Sequence, residues 1–494
     1  MEMKPLWDHQ KKCIDLASPP EIKNFAFLLD PGLGKSRVTI EVLKAKFAQH
    51  GKILRTLIFA PPVVVDNWRQ EWLKFTDFDK NVICPLTGSG VKRLKTFSQS
   101  EAKIFILNYE SLLMKDLFEA LKKWSAEAII SDESHMCKSI TSNRSKLLYE
   151  LSDPIFYKRG VSAPLRYILT GTAVLNSPMD LFQQFKILDS GETFGLNPWT
   201  FRAKYFVDRN SRMPSHMKFP KWEIKELKRD GFDGKAEINK KIYTKSFRAK
   251  KDECMDLPPE VFVEIGVDMS AEQSRLYNEM KRDFITYYNS KACVAPLAIT
   301  KLGRLLELTS GFITTEGIDG SPRVKQRLKD NPKLDALAGL LEQITEDQKS
   351  KVIIWSIYIE TYSMIREVCE KLKLGYAEVH GEVNESTKQL NIKKFNEDQS
   401  CRVFISNPAS GGIGINLVAA GYSITFSRSY NLGHHIQSMA RNRRGGSKEA
   451  GHACITRYDL VVNDTVDLFA IKMLANKEDM SEKVLRQIVE ELKK

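Results

Sequence analysis

The feature that most constrains the fold is a series of short apolar runs separated by amphipathic stretches. Five such runs lie in the first half of the 494-residue chain: FAFLL (25–29), TLIFA (56–60), IFIL (104–107), AIIS (128–131) and YILT (167–170). Each run is bounded by turn residues or by a switch to polar residues, which is typical of buried strands. The stretches between them, such as 35–49 and 64–75, have helical spacing. Strands that alternate with helices predict a parallel sheet covered on both faces.

The second half repeats this pattern after Lys351. Four further runs are expected to be strands: VIIW (352–355), VFIS (403–406), SITF (423–426) and CITRY (454–458). Between the two halves, residues 209–251 are basic and loop-like, DLPPE (256–260) is a rigid break, and 271–310 has helical spacing. The fold class is therefore α/β, with four expected regions: a first lobe over 1–208, a basic insert and linker over 209–260, a helical insert over 261–325 and a second lobe over 326–494.

The bulk composition describes a globular chain of at least two domains. Hydrophobic residues make up 42% and charged residues 28% of the sequence. No apolar run is long enough to span a bilayer, and the N-terminus lacks the apolar stretch of a signal peptide. The eight cysteines contain no C-x-x-C pair, which argues against a zinc site and for a reducing compartment. We therefore expect no membrane partner and a cytoplasmic protein, or a nuclear one in a eukaryote.

Positive charge is concentrated in one segment. The chain has a net charge of +13, and residues 209–251 contain 14 Lys or Arg against 5 Asp or Glu. Aromatic residues are interleaved with these charges, which suits a nucleic-acid surface that senses a fork or junction. The alternative is a solvated insert whose aromatic side chains attach it to the first lobe. The interleaved aromatics are Phe219, Trp222, Phe232, Tyr243 and Phe247.

The stretch FLLDPGLGKS (27–36) combines a strand, a glycine-containing turn, Lys-Ser and the start of a helix. Backbone amides of such a turn bind phosphate oxygens, because the helix dipole and the unpaired N–H groups both favour an anion there. Gly32 and Gly34 give the turn its shape. Lys35 is expected to reach the terminal phosphates of a nucleotide, and the Ser36 hydroxyl to ligate magnesium.

A second motif, AIISDESH (128–135), is acidic and places Asp132 and Glu133 at the end of an apolar run. Ligands of open α/β sheets collect at the carboxyl ends of the strands. Asp132 is therefore expected to hold magnesium, and Glu133 to orient and deprotonate an attacking water. Together the two motifs predict a nucleotide site.

The basic stretch QSMARNRRGG (437–446) allows three interpretations: a grip on nucleic-acid phosphates, catalytic arginines that reach a nucleotide, or a solvated helix end. If 433–444 is helical, Arg441 and Arg444 share one face while Arg443 is turned away. Two guanidinium groups on one face can neutralise the charge that spreads over a transferred phosphoryl group. Gln437 lies one turn earlier and could support the same site.

With both ATP-site motifs present, the sequence resembles the superfamily two helicases, and more closely the Swi/Snf-type double-stranded DNA translocases. The resemblance runs from about Leu6 to about Asp467. Its further blocks, in order, are LWDHQ (6–10), LIFAPPVVVDNWRQEWLKF (57–75), ILNYESL (106–112), ILTGTAVLNSPMDLF (168–182), DLPPE (256–260), VIIWS (352–356), VHGEV (379–383) and SNPASGGIGINLVAA (406–420).

The resemblance implies two RecA-like lobes with a cleft between them, and ATP and magnesium as cofactors. It implies that Gln10 reads adenine, and that Arg441 and Arg444 of the second lobe complete the ATP site. Thr170 and Thr172 would couple the nucleotide state to the grip on DNA. DNA contacts would come from residues at and around Asn67, Asn108, Tyr109, Ser356, Ser406 and Asn416, with Gly411, Gly412 and Gly414 admitting a phosphate close to the backbone.

The expected function is an ATP-dependent DNA translocase or helicase that acts on duplex, forked or branched DNA, mostly through phosphates. Two alternatives are an RNA helicase and an ATP-gated DNA clamp without strand separation. The short chain suits a bacterial or phage motor in repair or recombination better than a chromatin remodeller.

Overall fold

The computed structural model describes residues 5–153, 164–171, 179–208, 222–225, 232–289, 295–315, 324–409, 415–476 and 491. The chain forms two compact units that meet in sequence between Met255 and Asp256. No helix in the described part of the chain combines the length and the apolar character needed to cross a membrane.

The first unit is built on a parallel sheet of seven strands in the order β3-β4-β2-β5-β6-β1-β9. Its strands, including a separate hairpin of β7 and β8, are β1 Asn24–Leu29, β2 Thr56–Ala60, β3 Ile83–Pro85, β4 Ile104–Asn108, β5 Ala128–Asp132, β6 Leu165–Leu169, β7 Phe206–Asp208, β8 Trp222–Ile224 and β9 Ser246–Ala249. Its helices are α1 Asp8–Ala17, α2 Lys35–His50, α3 Val65–Phe75, α4 Gly90–Gln99, α5 Lys115–Trp124, α6 Asn143–Ser152, α7 Asp180–Asp189, α8 Pro198–Tyr205, α9 Gly234–Tyr243 and α10 Lys251–Cys254.

The second unit contains a parallel sheet of six strands in the order β10-β17-β16-β13-β15-β14. The strands of this unit, including a separate antiparallel hairpin of β11 and β12, are β10 Glu260–Val267, β11 Phe312–Thr315, β12 Val324–Arg327, β13 Val352–Trp355, β14 Gly375–Val379, β15 Cys401–Ser406, β16 Tyr422–Thr425 and β17 Ile455–Val462. Its helices are α11 Ala271–Asn289, α12 Ala295–Thr309, α13 Pro332–Thr345, α14 Ile359–Lys371, α15 Glu385–Glu397, α16 Leu432–Met439 and α17 Val466–Ala475.

All nine strands expected from apolar runs are present, and both sheets are parallel, so the α/β prediction of two parallel-sheet lobes is confirmed. Strands β2, β4, β5 and β6 are buried along their whole length. A strand covered by helices on both faces has no solvent-facing side, which explains why these runs are continuously apolar rather than alternating.

The expectation that residues 209–251 are loop-like is wrong for Trp222–Ile224, Gly234–Tyr243 and Ser246–Ala249. Gly234–Tyr243 is a helix, and Ser246–Ala249 is an edge strand paired in parallel with β1. The strand is only four residues long and contains Arg248, so it has no apolar run for the sequence to show. Residues 209–221 and 226–231 lie outside the described residues.

Of the four aromatic residues of this segment that the structure describes, two are packed against the core of the first unit, Phe247 is partly buried and one is exposed. Trp222 and Phe232 contact its buried cluster around Phe201 and Tyr205, whereas Tyr243 is 47% exposed. Phe219 lies outside the described residues. For Trp222 and Phe232 the attachment alternative therefore describes the packing better than a base-stacking surface does.

Within the second unit, helix α12 is tied to its neighbours by a buried polar cluster at Asp467. The Asp467 carboxylate accepts from Lys333 Nζ at 2.5 Å and from Thr309 Oγ1 at 2.8 Å. It also accepts from the backbone N–H of Val462 at 3.1 Å. One carboxylate thus joins α12, α13, α17 and the end of β17.

Candidate active site

The phosphate-binding turn of the sequence connects the end of β1 to the start of α2. Gly32 has φ 96° and Gly34 has φ 77°, in the left-handed region where a side chain is strained. A Cβ atom at Gly34 would also lie 2.3 Å from Gln10 Nε2. Gln10 donates from Nε2 to the carbonyl of Leu33 at 3.1 Å, so the residue expected to read adenine is held against this turn.

Helix α2 begins at Lys35 without a side-chain hydrogen bond at its N-cap and without an acidic residue in its first turn. This leaves its first amides and the positive end of its dipole for an anionic ligand. Lys35 Nζ donates to the carbonyl of Leu29 at 3.2 Å and lies 3.6 Å from Glu133 Oε1. Ser36 follows in the first turn of the helix and is partly buried.

The acidic pair follows directly at the carboxyl end of β5, which is separated from β1 in the sheet by β6 alone. Asp132 is buried, and its carboxylate accepts from Trp68 Nε1 at 2.9 Å and from the backbone N–H of Glu133 at 2.9 Å. Burial and, second, repulsion from Glu133 raise the pKa of Asp132 to about 6, although Lys35 and the hydrogen bond from Trp68 act in the opposite direction.

Asp132 and Ser36 fit the hard oxygen ligands that magnesium prefers. A buried carboxylate with a raised pKa is also a group whose ionised form a nearby cation would stabilise. No cluster of three or more His, Cys, Asp or Glu side chains in the described part of the chain could hold a metal. That result is compatible with magnesium, which is usually bound through one or two carboxylates together with waters and substrate phosphates.

His135 connects the acidic pair to Thr170 of the block ILTGTAVLNSPMDLF, a role that the sequence did not indicate. Its Nδ1 lies 3.3 Å from Glu133 Oε2 and 3.3 Å from Thr170 Oγ1. The next residue of the motif, Gly171, packs so closely on the phosphate turn that a Cβ there would lie 2.6 Å from Pro31 Cδ. Thr170 is thus adjacent to the site, while Thr172 lies outside the described residues.

The arginines of the second unit follow α16, which ends at Met439 rather than at 444. The expected helical face is therefore wrong, but Arg441 and Arg444 still converge, because the Nη1 atoms of both donate to the carbonyl of Ile415 at 3.2 Å. Arg441 Nε also donates to the carbonyl of Gln437, which is buried.

Arg443 is neither solvated nor directed with the other two arginines. Its Nε donates to the carbonyl of Pro258 at 3.0 Å, and its Nη1 lies 3.2 Å from Glu260 Oε2. The buried Arg457 binds the other oxygen of the same carboxylate. Arg443 therefore fastens the start of β10 to the turn after α16.

The positions expected to contact DNA differ in exposure. Asn67 is partly exposed on α3, and Asn416 is exposed. The side chains of Tyr109, Ser356 and Ser406 are fully buried. Asn108 is also buried, where its side chain accepts from Arg93 Nη1 at 2.7 Å. These four side chains are covered by the protein, and the expected DNA contacts at all six positions stay a prediction. Gly411, Gly412 and Gly414 lie outside the described residues.

A phosphate turn and an acidic pair on one parallel sheet, followed by a second parallel sheet, define a two-lobed helicase core. The chain belongs to the SNF2-related domain family, which matches residues 9–308. The helicase conserved C-terminal domain matches residues 332–446.

Curated relatives extend beyond this chain, which spans about half of their length. The DNA repair and recombination protein RDH54 of Saccharomyces cerevisiae is 22% identical over 97% of this chain and 51% of its own length. The DNA repair and recombination protein RAD54B of Homo sapiens is 25% identical over 88% of this chain and 49% of its own length. The uncharacterized ATP-dependent helicase MG018 of Mycoplasma genitalium is 21% identical over 98% of this chain and 42% of its own length.

Among solved structures, a Sulfolobus solfataricus SWI2/SNF2 ATPase core in complex with dsDNA is similar over 98% of this chain and 93% of its own, with 19% identity and a TM-score of 0.42. The C-terminal part of the Fun30 ATPase domain matches 48% of this chain and 97% of its own, with 17% identity and a TM-score of 0.38.

Proposed function

We propose that this protein hydrolyses ATP and couples the hydrolysis to movement along duplex or branched DNA. The observation that carries the proposal is the convergence of Lys35 and the Asp132–Glu133 pair at strand ends on one edge of the sheet. Membership of the SNF2-related family supports the same activity, and relatives named for DNA repair and recombination favour a role on forks or junctions.

In the proposed reaction, the amides of the phosphate turn and Lys35 hold the nucleotide phosphates, and Gln10 reads the adenine edge. Glu133 orients and deprotonates the attacking water, and Lys35 and His135 fix the position of its carboxylate. Asp132 and Ser36 hold magnesium, which when bound supplies positive charge that neutralises the phosphates.

The second unit contributes Arg441 and Arg444, whose shared acceptor places the two guanidinium groups together. They neutralise charge that develops on the transferred phosphoryl group, a contribution worth roughly 10³–10⁵ in rate in other phosphoryl-transfer enzymes. Thr170, with Thr172 and Gln437, relays the nucleotide state to the DNA-contacting segments, which bind phosphates through the surroundings of Asn67 and Asn416.

The test is ATP hydrolysis measured with no nucleic acid and then with single-stranded, duplex, forked and four-way DNA and with duplex RNA. Stimulation by duplex or branched DNA, lost in Lys35→Ala and in Glu133→Gln, is the expected result. A preference for RNA would replace the proposal with the RNA-helicase alternative. DNA binding that responds to ATP without hydrolysis would identify an ATP-gated clamp.

The cellular site is proposed on the same grounds, as the compartment that holds the DNA. This is the cytoplasm of a bacterial or phage-infected cell, or the nucleus of a eukaryote. Fractionation of cells that produce a tagged chain, followed by nuclease release, tests whether the protein is retained with the chromosome.

A further inference from the structure

Three hydrogen bonds converge on Asp132, and two of them come from segments that the family resemblance associates with DNA. Trp68 Nε1 donates to Asp132 Oδ2 at 2.9 Å, and Tyr109 donates from its hydroxyl to the Asp132 carbonyl at 2.6 Å. The third donor is the backbone N–H of Glu133, which binds Oδ1 at 2.9 Å. Both oxygens of the carboxylate are therefore oriented by the protein itself.

The register of the sheet explains why these distant residues meet. Strands β4, β2 and β5 are neighbours, and Phe59 of β2 is paired with Ser131, the residue before Asp132. The segments that follow β2 and β4 therefore lie over the end of β5, where α3 supplies Trp68 and the turn after β4 supplies Tyr109. Both side chains are almost completely buried.

We infer that Trp68 is a positioning residue that transmits the placement of α3 to the carboxylate expected to hold magnesium. Asn67, the expected DNA contact, directly precedes Trp68 in the first turn of the same helix. A duplex that shifts α3 through Asn67 shifts the indole N–H as well, and the hydrogen bond carries this movement to Asp132 Oδ2. A hydrogen bond from a buried donor to a buried carboxylate is strong enough to hold an orientation, because it is charge-assisted and shielded from water. The inference rests on the proposed function and assigns a DNA-responsive element to its ATP site.

The helix offers a matched control in Trp72, one turn further along. Trp72 is fully buried like Trp68, and its indole ring stacks on Phe47 and Phe78. Its Nε1 makes no hydrogen bond within the described part of the chain. Trp72→Phe therefore removes the same ring volume from the same helix as Trp68→Phe, but it removes no hydrogen bond.

The experiment measures the equilibrium affinity for ADP by calorimetry, with magnesium chloride or with EDTA, and with or without a blunt duplex DNA. Magnesium increases the ADP affinity by some factor in the unmodified chain, and in Trp68→Phe we expect this factor to be about tenfold smaller. A tenfold loss is the lower end of the usual cost of losing a residue that orients a metal ligand. We also expect duplex DNA to change the magnesium-dependent ADP affinity of Trp68→Phe by no more than about twofold. The reason is that two sites stop influencing each other when the hydrogen bond that connects them is removed. Trp72→Phe is expected to keep both effects.

Several results would overturn the inference. One is equal behaviour of Trp68→Phe and Trp72→Phe; another is an unmodified chain in which duplex leaves the magnesium-dependent ADP affinity unchanged. If the unmodified chain binds no ADP at all, the proposed function fails and the inference fails with it. Should Trp68→Phe not fold, replacing Trp68 with benzothienylalanine keeps the bicyclic shape without the N–H, and unchanged magnesium and duplex effects there would also contradict the role of the hydrogen bond.

Discussion

Arg441 and Arg444 share one carbonyl acceptor although they do not share a helical face. We expect Arg441→Ala and Arg444→Ala each to abolish DNA-stimulated ATP hydrolysis while DNA affinity changes little, because we propose that both groups act on the transferred phosphoryl group. Arg443→Ala is the comparison: it should keep the stimulation and lower the melting temperature, since Arg443 binds Pro258 and Glu260. An ATPase assay paired with filter binding at low salt separates the effects. Loss of DNA binding with normal hydrolysis in either of the first two variants would reassign them to DNA.

His435 gives the second unit a dependence of stability on pH. Burial and, second, the neighbouring Arg428 lower its pKa from 6.5 to about 4; Arg457 also lowers it, while Asp459 and Glu260 raise it. The unfolded chain protonates His435 at a higher pH than the folded chain does. The contribution of neutral His435 to the free energy of unfolding is therefore complete above pH 6.5 and is lost as the pH falls towards 4.

The matching variant is His435→Gln, which cannot take up a proton. Its melting temperature should fall less than that of the unmodified chain as the pH is lowered from about 8 to about 5, as measured by scanning calorimetry. Parallel pH profiles for the two proteins would show that His435 does not contribute this dependence.

Residues that are contiguous in the sequence reveal their chemistry more readily than residues that meet through the fold. Lys35 and the Asp132–Glu133 pair each lie within a short motif, so the order of the residues alone predicts a nucleotide site. The hydrogen bond between Trp68 and Asp132 joins residues 64 positions apart. It depends on the register of β2 against β5, which no local pattern in the sequence specifies.

At the scale of elements, the Asp467 cluster joins α12, α13 and α17 within the second unit. Lys333 and Asp467 are both buried, so removing the carboxylate leaves the ammonium group without its partner. We expect Asp467→Asn to lower the free energy of unfolding by about 3–5 kcal/mol, the usual cost of breaking a buried pair. Thr309→Val removes only a hydroxyl donor and should cost about 1 kcal/mol. Urea denaturation measures both, and equal small losses would contradict a central role for the ion pair.

The apolar runs did not predict the edge strands β3, β9, β10 and β14. Strand β10, for example, alternates exposed and partly buried residues, so it lacks the continuous apolar run that marks the central strands. An edge strand has a neighbour on one side only, and its side chains are less completely covered. Apolar runs therefore predict the centres of both sheets and not their borders.

For the whole molecule, the concentration of positive charge in 209–251 predicts how DNA affinity responds to salt. Helix α9 presents Lys235 and Lys240 to solvent, and Arg248 of β9 is also exposed. If this surface contacts phosphates, replacing these three basic residues with glutamine should reduce the slope of log DNA affinity against log salt concentration. The reduction should be roughly one for each phosphate that is no longer bound. Lys393→Gln, on an exposed helix of the second unit, is the control. A full slope in the triple variant would show that the charge is solvated.

Strand β9, which the sequence did not reveal, also ties the end of the first unit to the predicted phosphate-binding turn. Strand β9 places Ala249 beside Leu29, where the Ala249 carbonyl accepts from the N–H of Asp30 at 3.2 Å. Two residues later, the Lys251 N–H donates to Asp30 Oδ2 at 3.0 Å. Asp30 begins the phosphate-binding turn, and the second unit begins only a few residues further on, at Asp256. In mechanical terms, the last residues of the first unit are anchored at the predicted phosphate-binding turn, so a pull on the chain beyond Met255 is expected to act first on that turn.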